Sequence, residues 1–441
     1  MVSALQIKPT DAFPGALALW PTLATALAIW LWPEGGLLGR VLGLKPIQVL
    51  GDISYSVYLW HWPILVLTPI AFALPQPVAG SVQVFEIVAT LVLAWLTRRY
   101  VELPFIARRS PNWRSFAAMA GAAALLIGAS VTAVAPAQAE IDKGLALAAK
   151  VGAQLPDCVG ANALKADGSS CSNPQFAGLI IPPVELAPND SMTKAYPNCP
   201  GQAQDSSEVR VCALGDTESK TRIVLVGDSH ANQYAAALDL IGQQQHWAVD
   251  VIAKGGCPLS YAQREQNAPL TSACRKWVTA VITYLDKNDY KLIVTSMKSG
   301  VQWHSKAQYP TEPSEVDGVK QALEDISNTR IPVVYIKDNP KPLAEMESCL
   351  TATKGLDPAR CAQRRSAAFE DEPALVAIKK ISSSLITIAN LDDSYCGRDQ
   401  CLPIIGNVVV YRDDNHLTNT FVKTLAPRLT EILTAAIQSQ G

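Results

Sequence analysis

The sequence predicts two folds in series: a membrane α-helical segment of about four spans, then a three-layer α/β/α domain around a parallel sheet. Three observations predict this. Stretches without charge dominate the first 140 residues: Gly15–Trp32, Ile53–Phe85, Ile87–Thr97 and Phe116–Ala139. From Thr221 onward, short β-branched runs alternate with helical patterns, as βαβ units do. All ten cysteines lie between Cys158 and Cys401, so none falls in the apolar part. A net charge of −2 over 441 residues gives no reason to invoke a nucleic-acid partner.

Crossing a bilayer takes about twenty apolar residues in a helix. That length places spans near 14–32, 50–72, 79–97 and 116–135. Trp20, Trp30, Trp32, Trp60 and Trp62 suit membrane interfaces, which sets this apart from the buried helices of a soluble protein. Arg40 and Lys45 lie between the first and second spans, and Arg98, Arg99, Arg108, Arg109 and Arg114 between the third and fourth. Alternation puts both loops on one side, which the positive-inside rule makes cytoplasmic. Everything after about residue 140 is then exported. The last stretch, ending in Ala137-Gln138-Ala139, also fits a signal peptide with its cleavage site; the spans before it favour an uncleaved anchor.

An even cysteine count in an exported domain argues for disulfides. Neighbour pairing gives Cys158–Cys171, Cys199–Cys212, Cys257–Cys274, Cys349–Cys361 and Cys396–Cys401, although spacing alone does not determine connectivity. Zinc is the alternative, without a Cys-x-x-Cys pair to support it. Residues 140–220, rich in Asn, Asp, Ser, Gly and Pro, read as a stapled extension with little regular structure. Beyond it, strands are expected at 222–227, 248–253, 291–296 and 332–337, with a short one at 385–389 or 407–411. Helices are expected at 231–244, 273–287, 317–328 and 418–439. The expected domain bounds are 1–107 for the membrane domain, 108–139 for a basic loop and final membrane helix, 140–220 for the extension and 221–441 for the α/β domain.

The run Ile223-Val224-Leu225-Val226 ends in Gly227-Asp228-Ser229-His230, which reads as a buried strand entering a tight turn. A serine there stands at the carboxyl end of the sheet, where open α/β folds bind ligands. Far downstream, Asp413-Asp414-Asn415-His416 places an acid three residues before a histidine. Serine, acid and base in that order are the material of a nucleophilic triad. Each motif alone has a bland reading, as a common turn or a solvated loop. Together they resemble the SGNH (GDSL-like) hydrolase superfamily. The resemblance implies Ser229 as nucleophile, Asp413 and His416 as its acid–base pair, and the Ser229 amide as one oxyanion donor. It also implies a glycine amide after the second strand, either Gly255 or Gly256, and an asparagine after the third. Met297-Lys298-Ser299-Gly300 stands there instead, without an asparagine.

Neighbouring residues have simpler roles. Asp228 orients its own turn in an Asx manner, and Asp414 is expected to cap a helix beginning near Leu417. Trp247 and Trp303 are expected to pack, and His230, His246 and His304 to lie at the surface or behind the reacting groups.

Leu50-Gly51-Asp52-Ile53-Ser54-Tyr55-Ser56-Val57-Tyr58-Leu59-Trp60-His61-Trp62-Pro63 resembles the late signature of the acyltransferase family 3 membrane proteins. Tyr100-Val101-Glu102-Leu103-Pro104-Phe105 resembles the end of that family's tenth helix. His61 has a functional reading, proton handling or contact with an acyl donor, and a plainer one, an interhelical hydrogen bond to a Tyr or Ser. The family's early histidine motif does not precede residue 15, so the early membrane helices are expected to be missing from this chain. The two resemblances together imply a bacterial inner-membrane, multi-pass O-acyltransferase with a periplasmic C-terminal domain, modifying an envelope glycan of the lipopolysaccharide, exopolysaccharide or peptidoglycan type. They imply no bound cofactor, acetyl-CoA or another acyl-CoA as donor to the complete system and membrane lipid as surroundings; the missing helices are expected to reflect either a truncated or split gene, a separate polypeptide then supplying them, or a misassigned start. The rival readings are an acetyl-esterase of the SGNH type and a membrane-anchored glycan-binding module with a decayed site.

Overall fold

The structure is a computed structural model describing residues 37–71, 80–107, 142–165, 168–199, 201–265, 268–304 and 313–439, with a few isolated positions besides. The chain divides into two compact units, Met1–Ile127 and Gly128–Gly441.

In the first unit, helix α1 spans Ser54–Ala71 and α2 spans Gly80–Thr97, continuing through a π-helical turn to Glu102. Gly80–Glu102 is, among the described residues, the one helix long and apolar enough to cross a membrane. It coincides with the span expected near 79–97. The span expected at 50–72 is interrupted, because one helix ends at Asp52 and α1 begins at Ser54. The spans near 14–32 and 116–135 lie outside the described residues, isolated positions aside. Several polar groups of the two helices pair with one another, while the buried Glu86 Oε1 has no partner among the described residues. Trp60 Nε1 donates to Thr97 Oγ1 at 2.9 Å, and Glu102 accepts from the Ser56 hydroxyl and, at 2.9 Å, from Arg98. Tyr58, Trp62, Phe85, Ile87 and Trp95 face outward.

The second unit is built on six strands: β1 (Cys212–Gly215), β2 (Arg222–Gly227), β3 (Ala248–Ala253), β4 (Leu292–Ser296), β5 (Val333–Ile336) and β6 (Ile386–Ala389). Their order is β1-β3-β2-β4-β5-β6. All neighbours pair in parallel except β1, which runs antiparallel to β3. The sheet is therefore mixed, where a wholly parallel one is expected. β1 comes from the extension, and its four residues carry no alternation that would mark them. The same extension holds a helix over 142–154, more regular structure than its composition implies.

Continuous apolar strands are buried on both faces, which is why β2 to β5 stand out in the sequence. Along β2, Ile223 and Leu225 enter one core cluster and Val224 and Val226 the opposite one. Helices α3 (Ser229–Asn232), α4 (Ala235–Gln245), α5 (Ala268–Asp286), α6 (Glu315–Ser327), α7 (Asn419–Thr424) and α8 (Ala426–Gln438) connect and cover the strands. Two expected helices are each broken once. The one near 231–244 interrupts at Gln233–Tyr234, and the one near 418–439 interrupts at Leu425, just before Pro427.

The five disulfides are the neighbour pairs, with Cα–Cα separations from 4.1 to 5.7 Å. Cys199–Cys212 ties the extension to the start of β1, and Cys257–Cys274 ties the turn after β3 to α5. Trp247 and Trp303 pack against core clusters, as expected.

From β2 the chain goes to β3 on one side and then to β4 on the other. The carboxyl end of β2 is thus the point where strand order reverses, the place where open α/β sheets bind ligands. Gly227 is level with Ala253 and Ser296, so the turns after all three strands open on one crevice.

Candidate active site

Ser229 opens the one-turn helix α3, two residues beyond the end of β2. Gly227 makes that approach possible. Its φ is +149°, and a Cβ there would stand 2.7 Å from both Ala231 Cβ and the Ser296 carbonyl. Asp228 caps the helix: one carboxylate oxygen accepts the His230 N–H at 2.8 Å and the other accepts the Lys298 N–H at 3.0 Å. This is the Asx role expected of it. Being the first helical residue, Ser229 has an N–H with no intrahelical acceptor, available to a developing oxyanion.

Asp413 and His416 meet within one turn. His416 Nδ1 stands 2.8 and 3.1 Å from the two Asp413 oxygens, and the His416 and Asn415 N–H groups donate to Asp413 Oδ1 at 2.7 and 3.0 Å. Burial opposes the Asp413 charge, but the His416 ring and these two amides outweigh it and hold the carboxyl well below its usual range. Arg412 adds an ion pair at 3.1 Å. With Nδ1 held by the aspartate, His416 presents Nε2, which is buried and has no hydrogen-bond partner among the described residues. Nε2 is not bonded to the Ser229 hydroxyl in this structure. Asp414 does not cap the following helix. Thr418 does, accepting the Phe421 N–H at 3.2 Å, while Asp414 accepts from the Asn415 amide at 2.5 Å.

The turn carrying His416 is tied to the start of α3 by three links. His230 Nε2 lies 3.0 Å from Asn415 Oδ1, the Leu417 N–H donates to Gln233 Oε1 at 2.9 Å, and the rings of His230 and His416 are 4.9 Å apart. Gln233 can do this because the helix breaks there, and its amide nitrogen is fixed in turn by Asn339 Oδ1 at 2.8 Å.

His230 is not a surface residue. It is buried, with Nδ1 2.6 Å from Asp338 Oδ1. Asp338 also accepts the Ser299 N–H and hydroxyl, both at 2.7 Å. Burial works against the charged ring, but attraction and a hydrogen bond from Asp338, with Asp228 and Asn415, push His230 up to about 9. Behind Asp338, burial raises Glu372 to about 7 against its bond from Tyr335. No sequence signal marks Asp338, which sits in the turn-like Lys337-Asp338-Asn339-Pro340 after β5. His246 is exposed and pairs with Asp216, as a surface histidine should.

The turn after β3 is closed by the Cys257 N–H on the Lys254 carbonyl at 3.0 Å, with Gly256 at φ +70°. Gly255 and Gly256 occupy its middle, so the turn's own bond uses neither of their N–H groups. The extension braces this turn: Gln204 donates to the Gly255 carbonyl at 3.0 Å and Lys254 Nζ to the Ser206 carbonyl at 2.6 Å. After β4, the Lys298 and Ser299 N–H groups are spent on Asp228 and Asp338. Asn339 follows β5 instead and is committed to Gln233 and the Asn415 carbonyl.

His61, in the first unit, makes no interhelical bond of the kind expected of it among the described residues. Its Nδ1 lies 2.7 Å from the Tyr58 carbonyl of its own helix, with the Tyr58 ring 5.6 Å away.

Comparison with known proteins adds the following. The chain is 33% identical over 102 residues to the YrhL protein of Bacillus subtilis, a match covering 23% of this chain and 15% of that one. It is 28% identical over 92 residues to the peptidoglycan O-acetyltransferase OatA of Listeria monocytogenes, covering 21% and 15%. To the O-acetyltransferase OatA of Staphylococcus aureus it is 33% identical over 91 residues, covering 21% and 14%. The matches thus span about one seventh of these relatives. Among solved structures, the periplasmic domain of a lipopolysaccharide acetyltransferase from Salmonella ser. Paratyphi A aligns with a TM-score of 0.39 at 13% identity, over 50% of this chain and 86% of that one. The model of the SGNH domain (fused to AT3 domains) matches residues 198–431, from just before β1 to within α8 and taking in Ser229, Asp413 and His416. That is more than half of the sequence, and the chain belongs to this SGNH family.

Proposed function

We propose that the chain is an O-acyltransferase that places an acyl group, acetyl first among candidates, on a hydroxyl of a bacterial envelope glycan through an acyl-Ser229 intermediate. The observation that carries this reading is the buried Nε2 of His416, without a hydrogen-bond partner among the described residues, on a ring that is held from behind by Asp413 and stands beside the helix that Ser229 opens. A base with one nitrogen anchored and the other free is what a serine nucleophile requires.

In the first half-reaction the Ser229 oxygen attacks the acyl carbonyl and His416 Nε2 takes its proton. The bond to the leaving group then breaks, and the proton passes from Nε2 to that group. In the second half-reaction a glycan hydroxyl attacks acyl-Ser229 while Nε2 accepts the hydroxyl proton. Collapse releases the glycan ester and returns the proton to Ser229. Asp413 offsets the imidazolium charge in both halves. The oxyanion donors in this reading are the Ser229 N–H and one N–H from Gly255 or Gly256. Without the asparagine expected after β4, the site has one donor fewer, a loss on the order of a hundredfold in rate where it has been measured.

The family's fusion to AT3 domains and the helix Gly80–Glu102 support a membrane-anchored protein with its SGNH domain on the periplasmic side; a membrane part of about four spans is proposed from the sequence alone. The relatives' names favour peptidoglycan as the acceptor class, and acetyl-CoA is proposed as the ultimate donor. The full chain in detergent, given p-nitrophenyl acetate, is expected to gain the mass of one acetyl group on Ser229 and to pass it to peptidoglycan fragments as an alkali-labile ester. Ser229→Ala should gain none. Equal labelling of Ser229→Ala would overturn the assignment of the nucleophile, and release to water alone in the presence of acceptor would make the protein an esterase.

A further inference from the structure

We infer that His230 is a positioning residue for this reaction: a buried imidazolium that ties the nucleophile's helix to the turn carrying Asp413 and His416, acting through Asn415. The inference rests on the reading of Ser229 and His416 given above.

Hydrogen-bond directions fix the charge state. Asp338 Oδ1 faces His230 Nδ1 at 2.6 Å, and Asp338 is itself oriented by the Ser299 N–H and hydroxyl, so Nδ1 must carry a proton. On the other side, the Asn415 amide nitrogen is committed to Asp414 Oδ1 at 2.5 Å. The atom turned to His230 Nε2 at 3.0 Å is therefore the Asn415 oxygen, an acceptor, and Nε2 must carry a proton as well. A ring with two donors is an imidazolium. Burial of the side chain, 2% exposed, makes such a charge costly unless it is paired, and Asp338 with Asp228 supplies the pairing.

Asn415 lies between the acid and the base. Its N–H donates to Asp413 and its carbonyl accepts from Asn339 Nδ2 at 3.0 Å. Loss of the Nε2 proton, the one not held by a carboxylate, sets a nitrogen lone pair against the Asn415 oxygen. Two acceptors then face each other at hydrogen-bond distance, and the turn bearing Asp413 and His416 must shift. A displacement of about 1 Å at reacting groups can cost on the order of a hundredfold in rate. The charged and titratable groups around this ring are Asp228 on its own turn, Asp338 after β5 with Glu372 behind it, and His416, Asp413 and Asp414 on the facing turn.

The test uses the full chain in detergent and the rate of acetyl-Ser229 formation from p-nitrophenyl acetate, followed by rapid quench and mass spectrometry from pH 6 to 10. The parent rate is expected to fall above about pH 9, where His230 loses its proton. His230→Gln and Asn415→Ala are each expected to slow acylation at pH 7.5 by about tenfold and to remove that alkaline fall. Asn415→Ala leaves the buried His230–Asp338 pair whole, so it decides the matter should His230→Gln fail to fold. An Asn415→Ala protein that keeps the parent rate within twofold and the same alkaline fall overturns the inference. Ser229→Ala runs beside them: if it is silent while Asn415→Ala behaves as the parent, the positioning role fails and the nucleophile stands. If Ser229→Ala labels, the catalytic reading itself fails.

Discussion

Two histidine–aspartate pairs stand ring to ring in this domain, and they differ in what becomes of the second nitrogen. In His416–Asp413 one nitrogen meets the carboxylate and the other has no hydrogen-bond partner among the described residues. In His230–Asp338 both nitrogens are spent, one on the carboxylate and one on Asn415. The first pair is partly open, with side-chain exposures of 17% and 34%, while the second is closed at 2% and 3%. In the proposed reaction, identical side chains thus have opposite uses. A histidine with a spare lone pair can take a proton from a hydroxyl, whereas one with two donors can only hold its neighbours in place. Which is which follows from the acceptors around each ring.

The comparison breaks most sharply at the two aspartates. Asp413→Asn keeps the shape of its turn but offers His416 the wrong partner, so the free tautomer is lost. Acyl-Ser229 formation is expected to slow by about a hundredfold to ten-thousandfold, with a smaller loss of melting temperature than Asp338→Asn causes, because the carboxamide oxygen still accepts the His416 and Asn415 N–H groups. Asp338→Asn should do the reverse in kind, lowering stability because it leaves a buried imidazolium without its counter-charge. Rates of acetyl-Ser229 formation and thermal melts on the two variants check this. Equal effects on both quantities in both variants would erase the distinction.

The pairs also differ in the pH range over which they stabilise the fold. His230 is raised from 6.5 to about 9, so its contribution is complete below about 6.5, declines as the pH rises and is lost above about 9. At about 1.4 kcal/mol per unit, that is on the order of 3.5 kcal/mol at most. Asp413 is lowered, so its contribution is present above about 3.8 and is lost as the pH falls through its folded value. Denaturant titrations of the parent and of His230→Gln should therefore converge between pH 6.5 and 9. Curves that stay parallel over that range would mean His230 is neutral in the fold.

The two pairs were not equally legible. Asp413 and His416 are three residues apart, a spacing that places them in one turn whatever the rest of the chain does. His230 and Asp338 are 108 residues apart and meet only because β2 and β5 flank β4 in the sheet. The same contrast holds for the strands. β2 and β3 fall at their expected bounds because a run such as Ile223-Val224-Leu225-Val226 is buried on both faces and needs no partner to be recognised. β1 is an edge strand of four residues whose only mark is Cys212, and it became a strand through its pairing with β3 and its staple to Cys199. The break at Gln233 was hidden for a similar reason. The Gln233 side chain meets there the Leu417 N–H, which arrives from the far end of the domain. The helix over 142–154 lies in a stretch whose Asn, Asp, Ser, Gly and Pro content reads as irregular, though Leu145 to Ala149 are all Ala and Leu.

The smallest expected effect separates rigidity in general from the specific link through Asn415. Thr418, fully buried, holds the far end of the turn that carries His416. Its hydroxyl donates to the Val409 carbonyl at 2.6 Å and accepts the Phe421 N–H at 3.2 Å as the cap of α7. Thr418→Ala leaves both of those groups without their partner, at an expected cost of about 1–2 kcal/mol in unfolding free energy. Thr418→Ser, which keeps the hydroxyl, should recover most of it. The Thr418 hydroxyl bonds to Val409 and Phe421 rather than to either histidine, and the Thr418 N–H on the Val410 carbonyl at 2.9 Å survives the change. The acylation rate of Thr418→Ala at pH 7.5 should therefore stay within about twofold of the parent, with the alkaline fall still near pH 9. Chemical denaturation and the same quench assay read the two quantities side by side. If Thr418→Ala slows acylation as much as Asn415→Ala does, the turn responds to any loosening at all. The contact between His230 and Asn415 would then hold no special place in keeping His416 before Ser229.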